Sequence, residues 1–251
     1  MNTSPRILAA ATLLAAGSLA ACADSTGTGG ARPVSMSFST GGLTPVATAA
    51  RYSVAGAPDP LVITRAQVVL SKSELERAGV SCVGAAEEDS DSCPDLKLGP
   101  MLIDLPLDVS TRTALTVSIP AGTYEEFETK IDAISSENEG RQQESAAFLA
   151  ANPNFRGVSI RVEGTYNGVP FVYTTGVEAE IELEFSPDMV VDGATNNLTV
   201  HVDMSRWFVN GSGTRIDPST ANSGGANKSL VDENIKRSFD VFEDDDHDGR
   251  R

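Results

Sequence analysis

Basic side chains are scarce in this sequence. It has 19 Lys and Arg residues against 35 Asp and Glu residues, which gives a formal net charge of −16. Proteins that bind nucleic acid or anionic lipid headgroups neutralise phosphates with Lys and Arg, so a strongly acidic surface repels both. The composition therefore argues against nucleic-acid binding and favours a soluble, acidic exterior.

The groups that most often carry catalysis are also few. The histidines are His201 and His247, and the cysteines are Cys22, Cys82 and Cys93. There is no Walker loop, Gly-x-Gly-x-x-Gly fingerprint, His-Glu-x-x-His pair or Gly-x-Ser-x-Gly elbow. A Ser-His-Asp arrangement using His201 and Asp203 stays open, because its members need not be adjacent. The alternation around His201 favours a solvated strand histidine instead.

The N-terminus has the pattern of an exported lipoprotein. Arg6 precedes a short apolar run at residues 7–16, which is the length of a signal-peptide core rather than of a membrane-spanning helix. Leu19-Ala20-Ala21-Cys22 follows and resembles the bacterial lipobox. It predicts a signal peptide over residues 1–21, cleavage before Cys22, and diacylglycerol and a fatty acid such as palmitate on that cysteine. An ordinary signal peptide with an incidental cysteine is the alternative.

The residues after Cys22 indicate where the anchor holds the protein. Ala23, rather than Asp, follows the cysteine, so the pattern for inner-membrane retention in enteric bacteria is missing. Small and polar residues continue to position 33, which predicts a lipidated flexible tether over 22–33. We expect a cell-envelope protein in contact with the membrane through its lipid anchor, at the outer membrane where the organism has one.

Cys82 and Cys93 form an isolated pair ten residues apart in the acidic stretch of the first half. Export places them in an oxidising compartment, where such a pair forms a disulfide. A zinc site is the alternative, but two cysteines without a nearby histidine do not supply four ligands.

Period-2 alternation of apolar and polar residues dominates the remaining chain and predicts half-buried strands. Asn167-Gly168 is a strong hairpin signal between two of them. The strands are expected at residues 34–38, 62–70, 96–107, 115–119, 126–133, 158–162, 169–175, 177–185 and 198–204. The fold class is therefore mainly β, an antiparallel β-sandwich of about eight strands.

Two helices interrupt the strand pattern. Good helix formers occupy 141–151 and stop before Asn152-Pro153. A helix is expected to end there, because the residue before a proline disfavours the helical conformation. Apolar residues at Val231, Ile235, Phe239 and Phe242 share one helical face and predict an amphipathic C-terminal helix over about 230–242. It either covers an end of the sandwich or docks a partner. The domain thus spans 34–243, and an acidic tail follows over 244–251.

Several motifs resemble those of an uncharacterised family of bacterial secreted β-sandwich lipoproteins. They are Ile-Pro-Ala-Gly-Thr-Tyr at 119–124, the stretch from Asn-Pro-Asn-Phe-Arg-Gly to Tyr-Asn-Gly at 152–168, Asp-Met-Ser-Arg-Trp-Phe at 203–208 and Asn-Ile-Lys-Arg-Ser-Phe at 234–239. The matches extend over most of residues 35–249. The resemblance implies the fold and the location, and it carries over no catalytic residue.

A row of glutamates and an aromatic pair are candidate sites. Glu178, Glu180, Glu182 and Glu184 line one face of a predicted strand. They form either a solubilising surface or an acid-base or cation site, although a glycosidase needs two carboxylates facing each other across a substrate. Trp207 and Phe208 follow a strand and belong either to the core or to an exposed contact for sugar or protein.

The C-terminus carries the opening of a calcium loop. Asp244, Asp246 and Asp248 alternate and are followed by Gly249, but the chain ends before the twelfth position, where a bidentate acid belongs. The pattern predicts a weak calcium site or a solvated acidic tail, and no other cofactor is expected.

The sequence thus favours a non-enzymatic binding or structural module of the envelope, whose partner is an envelope protein or a small ligand. A small-ligand or divalent-cation binding protein and a carbohydrate-active enzyme are the alternatives. A concave site with converging titratable groups would distinguish the enzyme from the binding protein.

Overall fold

The structure is a computed structural model that describes residues 30–41, 44–45, 52–53, 61–79, 96–108, 110–135, 142–193 and 196–250, with the backbone alone at 44–45 and 52–53. Within these ranges, no helix has both the length and the apolar character needed to span a bilayer. Strands predominate over helices, so the mainly-β prediction is confirmed.

The described ranges contain thirteen strands and two α-helices. The strands are β1 Arg32–Gly41, β2 Thr44–Pro45, β3 Tyr52–Ser53, β4 Leu61–Arg77, β5 Leu96–Leu98, β6 Met101–Asp104, β7 Arg112–Ile119, β8 Gly122–Ile131, β9 Ile160–Tyr166, β10 Val169–Thr175, β11 Ala179–Val191, β12 Asn196–Asp203 and β13 Phe239–Glu243. The helices are α1 Gln142–Ala151 and α2 Lys228–Lys236. The strand predicted over 96–107 is divided into β5 and β6, and β13 was not predicted.

The first sheet has the strand order β13-β12-β1-β7. Its central pair, β1 and β12, is parallel, with Val34 opposite Asn196. The prediction of a purely antiparallel fold is therefore wrong for this pair. Parallel strands need a long crossover connection, and here most of the chain lies between them.

The second sheet is built around β4, which spans 17 residues. Its length lets each half pair with a different strand, β9 along the first half and β8 along the second. The short strands β3, β6 and β5 pair with its other side. β10 extends the sheet beyond β9, and β11 extends it beyond β8.

The β9–β10 hairpin forms at the predicted turn. Asn167 and Gly168 have φ values of 52° and 77°. A two-residue turn with both central residues at positive φ matches the right-handed twist of the flanking strands. Asn and Gly tolerate this conformation better than other residues, which is why the sequence signal was reliable here.

Side chains from both sheets share one apolar core. Met36 and Phe38 contribute from the first sheet, and Ile63 and Phe127 from the second. The aromatic pair that follows β12 is also buried, and the Trp207 indole N–H donates a hydrogen bond to Ser238 Oγ at 2.6 Å. Trp207 and Phe208 are therefore core residues and not an exposed contact surface.

Helix α1 forms where it was predicted and ends at Ala151, before Asn152 and Pro153. Phe148 and Leu149 pack with Val69 in a second, smaller apolar cluster. The helix thus covers part of the second sheet.

Helix α2 is shorter than predicted. Val231 and Ile235 are buried on its inner face, but the helix ends at Lys236 and Phe239 begins β13. Ser238 terminates it, because its hydroxyl donates to the Ile235 carbonyl and its own carbonyl accepts from the Asp203 amide of β12. The prediction of one helix to residue 242 is wrong, because residues 239–243 pair with β12 instead of continuing the helix.

Candidate functional site

The C-terminal acidic segment is joined to the first sheet by its first residue. Asp244 is only 3% exposed, and its amide donates to the Asn197 carbonyl of β12 at 2.8 Å. Thr199 Oγ1 donates to Asp244 Oδ2 at 2.6 Å, and the Asn197 side-chain amide donates to the Asp244 carbonyl at 3.0 Å. Residue 244 thus belongs structurally to the sheet and not to a free tail.

The following residues fold back over that anchored carboxylate. The amides of Asp248 and Gly249 donate to the two oxygens of Asp244, each at 3.0 Å. His247 and Gly249 have positive φ, which gives the tight turn that this return requires. A Cβ added at Gly249 would lie 2.3 Å from Thr111 Oγ1, so the loop also lies close against the sheet.

The turn brings the three predicted calcium ligands together. One carboxylate oxygen from each of Asp244, Asp246 and Asp248 lies within 4.8 Å of the others. Asp246 and Asp248 are exposed, whereas Asp244 is buried. Converging carboxylate oxygens are the ligands that a hard cation prefers, but such groups also converge without one.

The Ser-His-Asp arrangement that the sequence left open for His201 and Asp203 is not formed among the described residues. His201 Nδ1 lies 2.9 Å from Ser39 Oγ of β1. The Asp203 carboxylate instead accepts from the amide and hydroxyl of Ser205 and pairs with Arg206 at 2.9 Å. Ser39 is buried beneath the C-terminal loop. The two are close, since a Cβ added at Gly249 would lie 3.3 Å from the Cβ of Ser39. The Ser39–His201 contact joins two strands.

The glutamate row belongs to a larger acidic surface. Strands β4, β8 and β11 lie side by side, and their register aligns Glu74, Glu128 and Glu182 in one row and Glu76, Glu126 and Glu184 in the next. Like charges directly opposite on neighbouring strands repel each other. We call these six residues the glutamate face. Only Glu182 and Glu184 of β11 were recognisable from the sequence. The other four lie on β4 and β8, and the register between strands far apart in the chain cannot be deduced from neighbouring residues.

Burial and charge repulsion perturb this surface. Burial, followed by repulsion from Glu76 and Glu182, raises the pKa of Glu126. Burial also raises the pKa of Glu128, against the opposing effect of Lys72. Glu178, outside the face, has a lowered pKa because Lys130 binds its carboxylate at 2.6 Å.

Lysines compensate the most buried member of the glutamate face. Glu74 is 7% exposed, and its carboxylate lies 2.8 Å from Lys72 Nζ and 3.3 Å from Lys97 Nζ. The Lys97 contact is an ion pair without hydrogen-bond geometry, since Glu74 Oε1 has no hydrogen-bond partner among the described residues. The six carboxylates lie on one sheet, and among the described residues they do not face each other across a cleft as the two carboxylates of a glycosidase do.

Two clefts lie between the sheets along strand β7. The first, which we call the β5/β7 cleft, is narrow, with a cavity volume of about 30 Å³. Its lining is mostly apolar and includes Met36, Leu75, Leu96, Leu98, Leu115 and Val117, with Glu74 of the glutamate face beside them. Sequence analysis missed it, because it lies between strands that are far apart in the chain.

The second, the β6/β7 cleft, has a cavity volume of about 200 Å³ and is partly open to solvent. Phe38, Leu102 and Ile103 line it together with the charged residues Asp104 and Arg112. Both charged side chains are in ion pairs, Arg112 with Asp108 and Asp104 with Arg65. The cleft therefore offers both polar and apolar contacts, and its charged lining residues are already paired.

The three cysteines lie outside the described residues. The lipidation predicted at Cys22, the disulfide predicted between Cys82 and Cys93 and the signal peptide thus stay predictions. The tether predicted over 22–33 is wrong at its C-terminal end, because Arg32 and Pro33 belong to β1 and pair with β7.

Comparison with known proteins gives no relative for this chain. No family model, curated protein or solved structure matches it. The resemblance to the secreted lipoprotein family therefore rests on the motifs alone, and the function has to be argued from the chain itself.

Proposed function

We propose that this protein is a lipid-anchored envelope protein whose folded part, a β-sandwich, is a non-enzymatic binding module. The lipobox-like sequence ending at Cys22 supports the anchor, and the small and polar residues between it and the start of β1 at Arg32 supply a tether. An outer-membrane location is consistent with Ala23 after the lipidated cysteine. The acidic surface keeps the folded part away from anionic headgroups.

One observation carries the binding function: the lining of the β5/β7 cleft is largely apolar. Ligand sites are mostly concave and apolar, with a few polar groups that fix orientation. In the β5/β7 cleft, Leu96 and Leu98 lie opposite Leu115 and Val117 across the space between the sheets. Side chains of this kind bind through burial and have no acid-base chemistry.

The arrangement of titratable groups supports a binding function over an enzymatic one. A catalytic site needs a nucleophile or base within reach of a substrate, oriented by a third group. The Ser39–His201 pair lies beneath the C-terminal loop and does not line either β7 cleft. The glutamate face contributes Glu74 to the lining of the β5/β7 cleft, where its carboxylate is paired with Lys72 and Lys97.

Recovery of the lipidated protein from its own membrane tests this function. The tagged chain is crosslinked in intact cells, extracted and analysed for bound proteins and small molecules by mass spectrometry. Residues 1–33 fused to an unrelated soluble domain serve as the anchor-only control. We expect a partner or ligand with the full chain alone. Identical recovery from both, or turnover of a substrate by the purified chain, would contradict the proposal.

Weak calcium binding by the C-terminal loop is a second candidate function. The convergence of the Asp244, Asp246 and Asp248 carboxylates within 4.8 Å favours it. The cluster has three carboxylates, two of them exposed, so an affinity of about millimolar is expected, as in extracellular modules.

A further inference from the structure

The outer edge of strand β7 has no strand partner in the described part of the chain. It lies at one end of the first sheet, and no described strand pairs with it beyond β1. After Arg112 it has no charged residue, and Ala114, Thr116 and Ser118 are exposed. An edge strand presents a row of backbone donors and acceptors that can pair with another chain.

The other long sheet edges have protecting features. Pro170 lies in edge strand β10, and the Asn222 side-chain amide occupies its edge by accepting from the Thr174 amide and donating to the Val172 carbonyl. On β11, glutamates alternate along the strand and the register shifts between Glu184 and Met189. Proline, charge and bulges are the usual devices against edge pairing.

β13 is short and acidic, with Asp240 and Glu243. On β7 the one irregularity is a register shift opposite Met36 and Ser37, which leaves Leu115 to Ile119 in regular pairing with β1. Among the described edges, β7 thus combines length, exposure and a lack of charge.

The same edge borders both clefts. Leu115 and Val117 line the apolar β5/β7 cleft, and Thr113 and Ala114 line the β6/β7 cleft. A strand added beside β7 would direct alternate side chains toward this space, because successive side chains of a strand point to opposite faces. Backbone pairing would supply affinity and the β5/β7 cleft would select apolar side chains.

We propose that β7 is the docking edge for an extended segment of a partner protein, with apolar residues at alternate positions and a neutral or basic net charge. This inference rests on the proposed binding function and names its partner. The charge of −16 is the reason for the stated chemistry, since it repels a second copy of this chain and attracts a basic segment.

A synthetic peptide tests the proposal on the lipidated chain in nanodiscs. The probe is a short peptide of alternating valine and threonine with lysine at both ends, and the control peptide has proline at its central positions. We expect the probe to bind, by fluorescence anisotropy, and to slow amide hydrogen exchange over residues 112–119. Equal binding of the proline peptide, no binding, or protection elsewhere would overturn the proposal.

Two matched variants locate the site. Val117→Lys places a charge in the cleft and should weaken probe binding about tenfold or more, as for loss of a central apolar contact. Val172→Lys should leave binding unchanged, because it lies on the β10 edge, which Pro170 and the Asn222 side chain protect from strand pairing. The exchange measurement needs no variant, so it stands if Val117→Lys unfolds.

The outcomes separate this inference from the function it rests on. A dimer of the unmodified chain that is lost in Val117→Lys would make a second copy the occupant and overturn the stated partner. Partner recovery from membranes that persists in Val117→Lys would keep the binding function and reject β7 as its site.

Discussion

Thr199 on β12 donates a 2.6 Å hydrogen bond to the buried carboxylate of Asp244 and thereby joins the C-terminal loop to the first sheet. The contact is also part of a group of buried polar side chains on that sheet. Ser35 and Ser37 of β1 are buried and both donate to Asn197, whose own side chain donates to the Asp244 carbonyl. Buried polar groups require such partners, so the loop completes a polar network over the sheet.

The first prediction concerns this contact. Thr199→Val keeps the side-chain volume but removes one donor from a buried carboxylate, and should lower the free energy of unfolding by about 1–3 kcal/mol. Thr165→Val on β9 is the control, because the Thr165 hydroxyl has no hydrogen bond among the described residues. Urea denaturation measures both, and equal midpoints would show that the Thr199 bond contributes nothing.

The second prediction concerns the glutamate face and pH. The folded pKa of Glu126 lies above its unfolded value, so its contribution to stability is complete below the unfolded pKa and is lost as pH rises through the folded one. Glu126→Gln should therefore stabilise the protein at pH 7, by about 0.5 kcal/mol. The gain should disappear in acid, where the native carboxyl is protonated.

Glu178→Gln is the matched control for Glu126→Gln. Lys130 lowers the pKa of Glu178, so the carboxylate contributes stability above its unfolded pKa that is lost as pH falls through the folded one. Its replacement should destabilise the protein at pH 7. Thermal unfolding across the pH range compares the two variants, and a shift of the same sign in both would contradict the assigned electrostatics.

The third prediction concerns the anchor. Cys22→Ser removes the thiol that accepts diacylglycerol, so an unprocessed precursor should accumulate and fatty-acid labelling should vanish. Metabolic labelling with a fatty acid, followed by gel analysis, measures both effects. Equal labelling of the variant and the unmodified chain would rule out lipidation at this position.

The fourth prediction is the disulfide between Cys82 and Cys93. Mass spectrometry of non-reduced peptides from exported protein should find the two joined. Replacing both with serine should lower stability by roughly 2–4 kcal/mol, because the crosslink no longer restricts the unfolded chain. Two alkylatable thiols in the exported protein would refute the pairing.

The fifth prediction concerns calcium. Calorimetry at millimolar calcium should detect weak binding that Asp246→Asn combined with Asp248→Asn abolishes. These positions are exposed, so the variant leaves the Thr199–Asp244 contact intact. Asp188→Asn, at an exposed position of β11, is the control. The same heat from both variants would leave the loop as a structural acidic turn.

Local signals in the sequence predicted the elements whose conformation is decided locally. The alternation along β11, the Asn167-Gly168 turn and the end of α1 before Pro153 were all confirmed. Each depends on neighbouring residues only, through burial of one face, tolerance of positive φ or the restriction that proline imposes.

The end of α2 and the partner of His201 depended on contacts from elsewhere in the chain. The Ser238 hydroxyl stops the helix while its carbonyl pairs with β12, and Ser39 lies beside His201 because β1 and β12 are parallel neighbours. Spacing alone could not show either contact.

The sequence by itself determined the acidic character, the scarcity of catalytic groups and the mainly-β class, because composition and period-2 alternation are properties of the chain alone. Only the tertiary structure decided which strands are neighbours, and with them the glutamate face, the clefts along β7 and its open edge. Pairing between strands far apart in sequence is set by burial of the whole domain. The candidate surfaces of this protein are therefore products of register and sheet order.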